Sequence, residues 1–237
     1  LLFQDWGMKN FNPFLSAASL ELDGRMSGSI GITYYDRTPK IFSSLRIDSL
    51  ELNQTLLGNG KLKSSWNDLS KSLMVNLSIT PPGVQEQYKV LTIGGYIFPA
   101  SPDRNFDLDL AAQNLQLAAF APFLSSFSSG LKGLATGQAT LDGTFDKPAL
   151  NGKIRLQRTE MKIDYLNVTY TLSNELTITE NAISFKDIVV YDEFTNPAVC
   201  SGSLRHNYFS DMYLDLNLKP KDMLAMNLSR YDNDLFY

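Results

Sequence analysis

The chain has 237 residues, enough for one large domain or two small ones with an ample core. Charged residues make up 19 % and the formal net charge is −4, so no basic excess exists to neutralise phosphates, which argues against a nucleic-acid partner. His206 is the only histidine and Cys200 the only cysteine; no internal disulfide can form, and histidine-based metal or triad chemistry would depend on one side chain.

From the N-terminus, the glycines between Gly24 and Gly31 lack the Lys-Ser/Thr ending of a phosphate loop and read as bends in a curled sheet. Next come Leu45, Ile47, Leu50 and Leu52, an i, i+2, i+5, i+7 spacing that recurs in Met161, Ile163, Leu166 and Val168 and in Ile183, Phe185, Ile188 and Val190. Period two marks a strand with one apolar face, and the three-residue step predicts a β-bulge that returns the later pair to that face and bends the strand. Simple alternation follows in Leu73/Val75/Leu77/Ile79, Phe106/Leu108/Leu110, Ile154/Leu156, Leu176/Ile178 and Leu214/Leu216/Leu218. Turn signals stand at Asn59-Gly60, Pro81-Pro82-Gly83, Gly94-Gly95, Ser101-Pro102-Asp103, Asp142-Gly143 and Asn196-Pro197.

One segment departs from this pattern. Leu117, Phe120, Leu124 and Phe127 recur at helical spacing, which predicts one short amphipathic helix around 115–128, with Pro122 in its first turn and Gly130 beyond its end. It packs over an end of the sheet or serves as a lid. The expected fold is therefore all-β: a curved antiparallel groove, or taco, with an apolar concave face, as a single domain over 1–237. Bulged strand, Gly-x-Leu and alternating strand occur twice, after Leu52 as Gly60-Lys61-Leu62 and after Val190 as Gly202-Ser203-Leu204, which suggests repeat units at about 20–80 and 137–218.

Catalytic constellations are thin. Cys200 and His206 lie too far apart along a strand for a dyad, and Asp107/Asp109 and Asp142/Asp146 read as solvated strand faces and turns rather than acid–base pairs. The sequons at Asn53, Asn76, Asn167 and Asn227 would matter only in a eukaryotic secretory protein. Neither an enzyme nor a cofactor nor a metal is expected. The chain opens on Leu1-Leu2-Phe3 without a signal peptide and stops at Leu235-Phe236-Tyr237, in what reads as mid-strand, so a piece of a longer protein is expected. No apolar run reaches membrane-spanning length; the best, 115–127, is interrupted by Pro122 and serines.

From Gly133, the run Gly133-Leu134-Ala135-Thr136-Gly137-Gln138-Ala139-Thr140-Leu141-Asp142-Gly143-Thr144, continuing to Pro148, Leu150, Gly152 and Ile154, resembles the G-x3-G-x3-L-x-G-T-x3-P-x-L-x-G-x-I/L pattern of the TamB family, the AsmA-like translocation and assembly module proteins. The segments 166–170 and 202–209, and the final residues 235–237, resemble that family's C-terminal domain; the likeness covers about 110–237 and is weak before it. The resemblance implies a periplasmic β-taco of a Gram-negative envelope protein, anchored in the inner membrane and reaching the outer membrane. It also implies phospholipid carriage between the membranes, or help in inserting outer-membrane proteins alongside a barrel partner of the BamA/TamA type. It carries no catalytic residue.

The candidate binding surface is the apolar face itself: Leu45, Ile47, Leu50, Leu52, Leu73, Val75, Leu77, Ile154, Leu156, Met161, Ile163, Leu166, Val168, Ile183, Phe185, Ile188, Val190, Leu214, Leu216 and Leu218. Side chains on one face of a strand stand ~6.6 Å apart, so four span roughly 20 Å, more than the ~15 Å depth of one hydrocarbon leaflet. Such a face can shelter an acyl chain of phospholipid. Alternatively, nascent outer-membrane proteins add as a strand at an open edge, or two sheets pack face to face and no groove exists.

Overall fold

The computed structural model describes residues 1–16, 19–35, 38–208 and 210–228. Residues 235–237, expected in mid-strand, and Phe209 of the family-like segment lie outside the described residues.

The fold is all-β. The strands are β1 (Leu2–Gly7), β2 (Leu22–Tyr35), β3 (Thr38–Leu52), β4 (Thr55–Asn67), β5 (Ser72–Thr80), β6 (Leu91–Ile97), β7 (Phe106–Gln116), β8 (Ser128–Gly143), β9 (Pro148–Ile163), β10 (Val168–Leu172), β11 (Glu175–Thr179), β12 (Ala182–Tyr191), β13 (Pro197–Asn207) and β14 (Ser210–Pro220). They pair antiparallel in chain order within one sheet; only β11 leaves the path, pairing with β12 and β9. The chain divides into two compact units, residues 1–115 with 136–152 and residues 116–135 with 153–237, so β8 and β9 contribute to both. The expected repeat at 20–80 falls inside the first unit as β2–β5, whereas 137–218 starts in the first and continues into the second.

A bulge recurs with one chemistry. In β3 the register shifts between Ile47 and Leu50, and Ser49 takes φ +51°. In β12 it shifts between Phe185 and Ile188, and Asp187 takes φ +50°. A residue forced to positive φ turns its N–H out of the ladder, and an acceptor placed to meet it contributes about 0.5–1.5 kcal/mol net. Here the neighbouring strand supplies the acceptor. Ser49 N–H donates to Asn59 Oδ1 at 3.0 Å and Asp187 N–H to Ser201 Oγ at 2.8 Å. The same bond joins Asp5 to Ser27 Oγ (3.0 Å), Asn114 to Thr136 Oγ1 (2.9 Å) and Arg158 to Ser173 Oγ (3.0 Å), each donor again at positive φ.

Glycine follows four of the acceptors: Gly28, Gly60, Gly137 and Gly202. Where the register is defined, the large residue just before the bulge lies opposite that glycine: Phe3 opposite Gly28, Ile47 opposite Gly60, Phe185 opposite Gly202. The two repeat copies therefore fold alike. Leu45, Leu62 and Leu77 align across β3–β5, as Ile183, Leu204 and Leu214 do across β12–β14.

Three expectations are corrected. Met161 to Val168 is not a bulged strand: the chain reverses at 164–167, so Ile163 and Val168 end up directly opposite each other, both buried. A tight hairpin and a bulge both satisfy the same three-residue step, because either returns the next apolar residue to the original face. Asn59-Gly60 and Gly94-Gly95 lie within β4 and β6 rather than at turns. Gly95, at φ +141°, is there for close approach: a Cβ would stand 2.1 Å from the Asp107 carbonyl oxygen. The true turn before β4 is Asn53-Gln54, both at positive φ, as a two-residue hairpin demands.

The short helix expected around 115–128 is present as a 3-10 helix, Leu117–Leu124. Pro122 stands sixth in it, beyond the first turn, where in α-geometry its ring would clash with the carbonyl four residues back. Leu117 packs against Ala135 and Leu156, which matches packing over the sheet.

Removing a bulge acceptor tests this construction. Ser201→Ala is expected to lower the stability of the fold by about 0.5–1 kcal/mol in urea denaturation, because the Asp187 N–H it leaves can still reach water, with Ser201→Thr retaining most of it.

Candidate functional site

Directly opposed residues of an antiparallel pair share a face, so the register builds the site strand by strand. In the first unit one row runs Leu45–Leu62–Leu77–Ile93–Leu110 across β3 to β7. The next runs Ile47–Gly60–Ile79–Leu91–Ala112, and on the other side Val75 aligns with Gly95 and Leu108. The reverse face carries Arg46–Lys61–Ser78–Thr92 and Ser44–Lys63–Asn76–Gly94–Asp109. One face is mostly aliphatic; the other is polar in these two rows, with Phe42, Met74 and Tyr96 exposed in the row beyond.

The burial of that face is uneven. Ile47, Leu50 and Ile79 are closed off, Ile79 to 1 % exposure. Leu62, Leu73, Val75, Leu77, Ile93 and Leu110 stay half-buried, as does Leu52 opposite Leu22. The bulge at Ser49 places Leu50 opposite Gly58, on the same side as Ile47.

In the second unit much of the face is filled. Ile163, Val168, Ile188 and Val190 lie in one buried cluster with Tyr170, Ala198, Cys200 and Met223, and Met161, Leu166, Phe185 and Leu218 pack against it. Ile154 and Leu156 belong to a second cluster with Leu117 and Ala135. Ile183, Leu214 and Leu216 share the face through the register with Leu204 and Gly202, and Leu216 is exposed. All twenty residues singled out from sequence thus lie on the apolar side of their own unit or in the turn that closes it, but only the first unit leaves a continuous half-buried row.

Sequence reasoning left Leu62, Ile93 and Leu110 out of the site. Ile93 was masked by Gly94-Gly95, which looked like a turn; the alternation Leu91-x-Ile93-x-x-x-Ile97 was the available signal. Tyr170 and Met223 were missed because their burial depends on chain crossing, which periodicity does not encode.

The polar groups near these faces are structural. Arg104 bonds Asp107 at 2.7 Å and Asp142 at 3.0 Å, joining the start of β7 to the end of β8. Buried Asn105 donates to the carbonyls of Phe98 and Ser101 and accepts from Phe145 N–H. Burial pushes the Cys200 thiol up and the His206 imidazole down, so both are held neutral. Burial opposes ionisation of Asp192, yet donors from Leu224, Asn196 and Phe194 outweigh it and hold the carboxyl below its ordinary value. Among the described residues no group of three or more His, Cys, Asp or Glu is placed to hold a metal ion. No helix among them is long and apolar enough to cross a membrane.

Comparison with family models, curated proteins and solved structures finds no match to this chain.

Buried and exposed positions of the second unit's apolar face should respond differently to charge. Val168→Asp, at 1 % exposure, is expected to destabilise the second unit by several kcal/mol, because an unpaired carboxylate has no water to reach. Leu216→Asp, at 44 % exposure on the same face, is expected to cost under about 1 kcal/mol by urea denaturation.

Proposed function

We propose that the chain is a groove segment of a TamB-like envelope protein, in which the apolar face of the first unit shelters phospholipid acyl chains as they pass between the inner and outer membranes. The observation that carries this reading is the row Leu45–Leu62–Leu77–Ile93–Leu110, five aliphatic side chains on five adjacent strands, buried at Leu45 and half-buried from Leu62 to Leu110, with mostly polar side chains behind them. At ~4.8 Å between strands the row is ~19 Å long. Each methylene withdrawn from water onto it gains about 0.8 kcal/mol. No specific contact is needed, because hydrophobic attraction is non-directional.

The lipid headgroup is left to solvent, so the reading requires no cationic pocket and agrees with the net charge of −4. On this reading the protein works in the periplasm, with an outer-membrane barrel of the BamA/TamA type as the docking partner for the whole molecule.

A native mass spectrum of the protein purified from a Gram-negative host is expected to carry bound phospholipid. Leu77→Asp, at the centre of the row, is expected to cut bound lipid about tenfold while circular dichroism stays unchanged, and Asn76→Asp on the reverse face to leave it intact. Lipid-free protein, or equal loss from both variants, contradicts the proposal.

A further inference from the structure

The apolar face of the second unit already has an occupant. After β14 the chain turns across the sheet instead of adding a strand, and residues 221–228 run without regular secondary structure from the start of β13 to the turn between β9 and β10. Met223 is buried in the main cluster, and Leu224 packs against it. The remaining attachments are hydrogen bonds in chain order. Lys221 N–H donates to the Pro197 carbonyl at 3.2 Å, and Leu224 N–H donates to Asp192 Oδ2 at 2.7 Å. Tyr170 O–H donates to the carbonyls of Leu224 (3.4 Å) and Ala225 (3.2 Å). Asn167 Nδ2 donates to the Asn227 carbonyl at 2.8 Å, and Asn227 N–H donates to the Leu166 carbonyl at 2.9 Å.

Each of these bonds meets a main-chain atom of the segment. The partners therefore recognise an extended backbone, and two adjacent apolar side chains supply the anchor. The seat is also built independently of its occupant. Asp192 keeps donors from Phe194 N–H (2.9 Å), Asn196 N–H (2.8 Å) and Asn196 Nδ2 (3.1 Å), all from its own loop, so the carboxylate stays in place when Leu224 leaves. By contrast, the segment has no ladder hydrogen bonds, and Lys221, Asp222, Ala225, Met226 and Asn227 are exposed. A segment held by one buried side chain and a few exchangeable bonds lies at the low end of local stability.

We infer that the second unit carries a receptor for an extended peptide with two adjacent apolar residues, lined by Asn167, Tyr170 and Asp192, and that residues 221–228 are its built-in, displaceable occupant. A partner peptide takes the same bonds in the same order and releases the segment. This site is distinct from the acyl-chain face of the first unit and does not depend on it.

The test uses the whole chain and a fluorescein-labelled peptide of the sequence 221–228. Met223→Asp weakens the internal occupant, and the labelled peptide is expected to bind this variant at least about tenfold more tightly than the unaltered chain by anisotropy. Unchanged affinity in a variant that keeps its thermal melt overturns the inference. Hydrogen exchange on the unaltered chain decides the matter if that variant does not fold. Millimolar peptide is expected to speed exchange at the Leu224 and Asn227 amides while β12 and β13 stay protected. Continued protection of those two amides at that concentration overturns the inference, and so does their release by phosphatidylglycerol vesicles but not by peptide, which would make lipid the occupant.

Discussion

The structure depends on one local interaction: the bond from a bulge N–H at positive φ to a hydroxyl or amide oxygen on the adjacent strand. A long strand cannot stay flat, because each strand carries an intrinsic right-handed twist. Inserting a residue relieves this but would turn every later side chain to the wrong face unless the backbone absorbs it. Positive φ at Ser49 and Asp187 absorbs it, and Asn59 and Ser201 satisfy the amides that this conformation orphans. The glycine after each acceptor permits close approach: a Cβ at Gly60 would stand 3.2 Å from Ile47, and one at Gly202 would stand 2.2 Å from the Asp215 carbonyl oxygen. Face, bend and hydrogen bond are therefore set together by a few residues.

Much of this was legible in the sequence. Ile47-Asp48-Ser49-Leu50 and Phe185-Lys186-Asp187-Ile188 announce their bulges by two polar residues between two apolar ones, and both bulges are present. The complementary signal, a hydroxyl or amide residue followed by glycine, was visible at Asn59-Gly60 but is chemically identical to a turn signal. Only the partner strand tells the two apart, and pairing is a non-local fact. The same limit explains Ile163 and Val168, whose spacing fits a bulge or a hairpin equally well. Pro122 was legible as a helix breaker, but its consequence depended on where the helix began, and the start at Leu117 put the proline too deep for α-geometry.

The candidate site divides along similar lines. Periodicity identifies which residues face the apolar side, and it did so for both units. It does not say what lies opposite them. In the second unit Met223 and Leu224 return to cover Ile188, Val190 and Cys200, so the surface there is a packed core with a peptide laid on it. In the first unit the central row stays half-buried. On the two proposals above, these apolar faces would do different work: one would hold a mobile hydrocarbon chain without fixed contacts, the other a backbone with ordered donors and acceptors.

The central claim is that hydrocarbon from outside the protein lies against one side of the β4–β6 strands and not the other. The direct measurement is photo-crosslinking in cells with a benzophenone amino acid placed in turn at Leu62, Leu77 and Ile93 and at their neighbours Lys63, Asn76 and Thr92. The account predicts covalent phospholipid adducts at the first three positions and none at the second three, a period-two pattern that follows the register. Adducts of equal yield at both sets, or none at Leu62, Leu77 and Ile93, would contradict it.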